Sequence, residues 1–130
     1  MIKPNSAAEA VAQGAQLLDE KEPGWWREID LGTLELSSCK RCICGQLGER
    51  KRKSYESYVH GTLDVPMYFD DACYEHGPSY YGFDCLYETV ETVEPLATWD
   101  ELDAEWEKVI LARREADKLV PAEEREMVTT

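Results

Sequence analysis

The stretch TWDELDAEWEKVILARREADK, Thr98 to Lys118, decides the fold class. Thr98 and Glu101 stand in capping-box spacing, in which each side chain can satisfy the other residue's free backbone N–H at a helix start. Behind them Trp99, Leu102, Trp106, Val109, Ile110 and Ala116 recur at helical intervals and mark one apolar face. Asp100, Glu101, Asp103 and Glu105 crowd the first turns, while Lys108, Arg113, Arg114 and Lys118 come later, the order that complements the helix dipole. The spacing predicts a helix from Trp99 to Lys118 that buries Trp106 and Ile110. After Val120, PAEEREMVTT loses the periodicity, and residues 121–130 are expected to form a flexible tail.

The same logic holds near the start of the chain. In SAAEAVAQGAQLLDEK, Ser6 and Glu9 repeat the capping-box spacing, and Ala8, Val11, Ala15 and Leu18 form a stripe, predicting a helix from Ala7 to Glu20. Gly14 in its middle weakens the helix by about 1 kcal/mol relative to Ala and admits a close neighbour. Pro23 and Gly24 end it, and PGWWREIDLGTLELSS then reads as a turn and a short helical segment placing Trp25, Trp26 and Ile29 on the core, followed by a link through Leu34 and Leu36. A short helix near Tyr55 to His60 opens a long, tyrosine-rich irregular middle. LYETVETVEP, within 85–95, fits strand by its β-branched residues and helix by its spacing. The expectation is a mainly α fold of three to four helices, or α+β with one short strand pair, in one compact domain over residues 1–120.

Length and charge bound what such a domain does. With 130 residues, 43% of them apolar, the chain suffices for one hydrophobic core. It has neither a membrane-spanning apolar run nor a secretory leader, so a soluble, cytoplasmic protein is expected. Its formal net charge is -13, unevenly distributed. Six of the basic residues lie between Lys40 and Lys53, and from Ser54 to Glu107 there are 14 acids and no Lys or Arg. One reading is a solubilising coat; the sharper one is an acidic face that meets a basic partner. Asp70, Asp71, Glu75, Glu88, Glu91 and Glu94, with the neighbouring rings of Tyr80 and Tyr81, are its candidate contacts. Carboxylates spaced like phosphates would make the same face a nucleic-acid mimic that occupies a DNA-binding protein. The overall charge disfavours direct contact between ERKRK, Glu49 to Lys53, and a polyanion.

SSCKRCICGQLGERKRK, Ser37 to Lys53, holds three of the five cysteines. An odd cysteine number without an export signal points to free or metal-bound thiols. If Ser37 or Ser38 caps a helix, Cys39, Cys42, Ile43 and Leu47 fall on one buried stripe, where cysteine serves as a small apolar residue. The alternative is a structural zinc module with Cys39 and Cys42 as one chelating pair and Cys73 and His76 as the other, Cys44, His60 or Cys85 standing in. A redox Cys-x-x-Cys is expected at a helix start after a strand in a βαβ unit, which the pattern lacks. No phosphate loop, dinucleotide fingerprint, nucleophile elbow or calcium loop occurs, so no enzymatic activity and no cofactor is assigned.

The entry LLDEKEPGW, the link IDLGTLEL, Cys42 followed by an apolar residue and GQL, and YGF before the last helix together resemble a group of small, functionally uncharacterised proteins of actinobacteria and their bacteriophages. The resemblance covers about two-thirds of the chain. It implies phage origin and a core role for Cys44, whose place an aliphatic residue usually takes in that group. Here GQLGERKRK departs from the group's more usual GQLYG. The group brings no activity with it. The reading that follows is a small acidic accessory protein, phage-encoded and acting in the host cytoplasm, that binds a host or phage protein.

Overall fold

The structure, a computed structural model, describes residues 4–66, 77–84, 86–87 and 95–118. It is mainly helical. In chain order its elements are helix α1 (Ala7–Lys21), a 3-10 turn (Trp25–Arg27), α2 (Ile43–Arg50), α3 (Tyr55–Ser57) running into a π turn (Tyr58–Thr62), a second 3-10 turn (Pro78–Tyr81), strands β1 (Leu86–Tyr87) and β2 (Pro95–Ala97), and α4 (Trp99–Lys118). The strands pair antiparallel, Leu86 opposite Ala97 and Tyr87 opposite Pro95, with a register shift between them. The ambiguous segment therefore opens as strand; residues 88–94 lie outside the described residues, as do 119–130 with the expected tail.

Both helix starts use the expected residues. At α4 the box closes fully: Glu101 N–H donates to Thr98 Oγ1 at 3.3 Å and Thr98 N–H to Glu101 Oε1 at 3.2 Å. At α1, Glu9 N–H donates to Ser6 Oγ, but Glu9 Oε2 accepts from Asn5 N–H at 2.7 Å rather than from Ser6. The buried stripe of α1 is Ala7, Ala10, Val11, Gly14, Ala15 and Leu18, with the expected Ala8 exposed. On α4, Leu102, Trp106 and Ile110 are buried, whereas Trp99 is 36% exposed and Ala116 is exposed. Trp99 is the first residue of its helix and Ala116 lies in its last turn, and the buried stripe between them stops short of both ends.

The core centres on Trp106, fully buried between α1, the second 3-10 turn and the Trp25 loop. Its indole N–H donates to the Gly82 carbonyl at 2.7 Å, so the ring's one polar atom is satisfied in the interior. Phe83 stacks on it with centroids 5.7 Å apart, and Trp25 meets it edge-on at 5.6 Å. Gly14 explains how α1 comes so close: a Cβ there would be built into the Tyr81 carbonyl oxygen and lie 3.0 Å from the Trp106 ring. Gly82, at φ +72, turns the chain into the left-handed region directly over Val11. The late cations of α4 do more than match a dipole. Arg113 pairs with Asp19 of α1 at 2.6 Å, Arg27 pairs with Asp117 at 2.7 Å, and Arg114 donates to the carbonyls of Trp26 and Ile29.

Two substitutions test this arrangement by urea denaturation. Gly14→Ala should destabilise by about 1–3 kcal/mol or more, because the obstacle is backbone rather than a flexible side chain. Trp106→Ala should cost about 3–5 kcal/mol. A Gly14→Ala variant as stable as the parent would show that α1 and the Tyr81 turn do not pack this closely.

Candidate functional site

The cysteine stretch folds differently from one continuous helix. Ser38 does act as a cap, its Oγ accepting from the Lys40 and Arg41 N–H groups, but only for a single turn, closed by Cys42 N–H donating to the Ser38 carbonyl at 3.0 Å. The backbone then becomes extended at Cys42, at ψ 175, and α2 starts with Cys42 as its N-cap, the thiol accepting from Gly45 N–H at 3.2 Å. A cysteine thus takes the place usually held by Ser, Thr, Asp or Asn. With the chain broken here, the backbone of Cys39 and Lys40 lies directly on Gly45, where a Cβ would be built into the Cys39 carbonyl.

The predicted stripe splits accordingly. Cys42, Ile43, Cys44 and Leu47 are buried and Cys39 is exposed. Burial pushes the Cys42 thiol up to about 11 against the opposing Gly45 N–H, and it pushes the fully buried Cys44 thiol well above the ordinary range. Of the alternative zinc set, Cys73 and His76 lie outside the described residues, as does Cys85. Cys39 and Cys42 sit one at the surface and one in the core. Among the described residues no group of three His, Cys, Asp or Glu side chains gathers to hold a metal.

The basic run is tied down. α2 ends in a Schellman motif, with Lys53 N–H donating to the Gly48 carbonyl at 2.8 Å and Arg52 N–H to Glu49 at 3.0 Å, and Arg52 occupies the left-handed position at φ 58. Lys51 pairs with Glu22 at 3.0 Å, Arg50 with Glu28 at 3.3 Å, and Lys53 donates to Thr62 Oγ1 at 2.7 Å. Beneath them the Tyr58 hydroxyl is held well above the usual phenol range by burial and by the Glu22 carboxylate. Gln46 fastens the IDL link to α2, its Oε1 accepting from Asp30 N–H at 2.7 Å and its Nε2 donating to the Asp30 and Arg41 carbonyls. Glu28, Asp30, Arg41, Gln46 and Arg50 line an open cleft of about 420 Å³.

The six acids expected to meet a partner, Asp70, Asp71, Glu75, Glu88, Glu91 and Glu94, lie outside the described residues. Tyr80 and Tyr81 lie inside them and are half-buried. The Tyr80 carbonyl accepts from Gln13 Nε2 at 2.7 Å, and the Tyr81 ring stacks on Phe83 with centroids 6.0 Å apart. Their rings pack on the core because Gly14 admits this turn. On α4, Asp100, Ala104, Glu107 and Leu111 are exposed along one line, and Leu111 is 49% exposed. Asp103 faces inward from it and accepts from Leu36 N–H at 2.8 Å.

Two outcomes follow. Burial, and then the neighbouring Asp100 and Glu35 carboxylates, raise the Asp103 carboxyl against the opposing Leu36 N–H. Its folded pKa thus exceeds its unfolded one, so its contribution is complete below the unfolded value and lost as pH rises through the folded one. Asp103→Asn keeps an oxygen for Leu36 N–H, and its melting temperature at pH 7 should equal or exceed the parent's, the gap closing as pH falls into the carboxylate range. A lower value at pH 7 contradicts this. Arg52→Gly should stabilise the fold by about 1 kcal/mol by relieving the left-handed side-chain clash, as chemical denaturation would read. Comparison with protein-family models, curated proteins and solved structures finds no match.

Proposed function

We propose that this chain is a small acidic interaction protein, phage-encoded as its resemblance implies, which binds a basic protein partner in the host cytoplasm. The observation that supports the reading most is where the cations go. Arg27, Arg41, Arg50, Lys51, Lys108, Arg113 and Lys118 each pair with a carboxylate of the same chain, and Arg114 is turned onto backbone carbonyls. Each such pair contributes little stability at the surface. Together they match seven cations with seven carboxylates, although Arg41, Arg50, Lys51, Lys108 and Lys118 stay largely exposed. Glu56, Asp64, Asp100 and Glu107 are exposed and have no ion pair among the described residues. The remaining field is therefore that of an excess of carboxylates, which attracts a basic surface and repels a polyanion. No helix among the described residues is long and apolar enough to cross a membrane.

The test is affinity capture from host lysate at low and high salt, followed by titration of the purified partner. Neutralising Asp100 and Glu107 together with Asp70, Asp71, Glu75, Glu88, Glu91 and Glu94 should weaken binding on the order of ten-fold and flatten its salt dependence, with the fold intact. Competition by duplex DNA for the captured partner would mark the nucleic-acid-mimic form of the same function. A partner held equally well by the neutralised variant at every salt concentration would refute the acidic-surface reading.

A further inference from the structure

Cys39 and Cys42 lie three residues apart within the single turn that Cys42 N–H closes on the Ser38 carbonyl, and their surroundings differ. A closed turn keeps residues three apart within about 7 Å between Cα atoms, close to the span of about 4.4–6.8 Å that a disulfide bridges. Cys42 is 2% exposed and caps α2, whereas Cys39 is exposed and lines a cleft of about 270 Å³ with Lys40, Arg52 and Lys53. Glu49 is the only acid lining that cleft. Lys40 and Arg52 have no ion pair among the described residues, unlike the neighbouring Arg41, Arg50 and Lys51. The cleft is thus a local positive site on an acidic protein, with a thiol in its wall and a second thiol one turn behind.

From this juxtaposition we propose that Cys39 and Cys42 form a thiol–disulfide exchange pair that reacts with a small anionic disulfide drawn into the Lys40–Arg52–Lys53 cleft. In the first step the Cys39 thiolate attacks one sulfur of the disulfide, a mixed disulfide forms on Cys39, and one small thiolate leaves. That thiolate takes the Cys42 proton. Cys42 then attacks the Cys39 sulfur, the intramolecular Cys39–Cys42 bond forms, and the second small thiolate departs and is protonated by water. Two protein thiols are oxidised and one small disulfide is reduced to two thiols. Burial keeps Cys42 protonated in the reduced protein, so the exposed Cys39 takes the first step. Cys44, wholly buried within α2, has no access to either step.

The experiment exposes the reduced full chain to glutathione disulfide or, at equal concentration, to the uncharged 2-hydroxyethyl disulfide. Acid quench, alkylation and peptide mass mapping then locate each modification, so that the remaining cysteines are read separately. The peptide spanning Cys39 and Cys42 should lose two hydrogens with either reagent. In Cys42→Ser it should stop at a glutathione adduct on Cys39, and in Cys39→Ser it should show neither product. Lys40→Gln combined with Arg52→Gln should slow the reaction with glutathione disulfide on the order of ten-fold and leave the uncharged reagent's rate unchanged. The proposal is overturned if the parent leaves Cys39 unmodified, if it accumulates the mixed disulfide without closing it, or if the double variant reacts with both reagents at the parent's rates. Because the parent alone decides the first two outcomes, a Cys42→Ser chain that fails to fold does not shelter the idea.

Discussion

An indole ring can be sealed in a protein interior only when something accepts its N–H, and here that acceptor is the Gly82 carbonyl 2.7 Å from Trp106. Much of the architecture follows from this one requirement. For the carbonyl to point inward, the chain must leave the Pro78–Tyr81 turn in a left-handed conformation, which Gly82 provides. For that turn to sit over the ring, α1 must present a position without a side chain, which Gly14 provides. Phe83 and Trp25 then close two sides of the indole at the middle of α4.

The helices were legible in the sequence because their signals are local. Capping pairs at Ser6 and Thr98 and apolar repeats of three and four depend on neighbours within one or two turns, and α1 and α4 lie within a residue of where those signals put them. Trp25, Trp106, Leu18 and Ile110 are buried as their patterns require. Other features depend on contacts between distant segments. Gly14 signals a close approach without naming Tyr81 as the neighbour, and Gln46 looks like any polar helix residue until Asp30 is beside it. The cysteine stretch misled for a different reason. Its spacing fits a single helix capped by Ser37 or Ser38, and nothing in that spacing signals the break at Cys42 that lays Cys39 on Gly45 and turns Cys42 into a cap. Arg52 in a left-handed position has no sequence signal, since glycine is the residue that normally marks it. Of the candidate contacts, Tyr80 and Tyr81 read as exposed because GPSYYGFD is rich in turn residues, but turn composition does not reveal which ring has a core beneath it.

Charge organises the surface in two ways. Around the Trp25 loop, Arg27, Arg113 and Arg114 join α4 to α1 and to the segment that follows it, using geometry that lysine would not supply, because a guanidinium can reach a carboxylate or two carbonyls at once. Elsewhere the same economy of cations leaves carboxylates in the majority. The cleft beside Cys39 is the exception, and its position next to the pairs made by Arg50 and Lys51 means that positive and negative fields change over within the length of α2.

The way α1 is held also bears on how the chain acquires its structure during synthesis. Besides Trp25, whose indole N–H donates to Asp19, its partners include Tyr80, 67 residues beyond Gln13, and Arg113, 94 residues beyond Asp19. An isolated helix of this length is marginal in water. While the ribosome is still making the middle of the chain, α1 has the Trp25 loop beside it but lacks the Tyr81 turn and α4, and its glycine makes it weaker still. Contacts this far apart make folding slow relative to a bundle of adjacent helices. The order of the chain thus gives the nascent protein a period in which the α1 stripe is available to chaperones, and that period ends when α4 emerges.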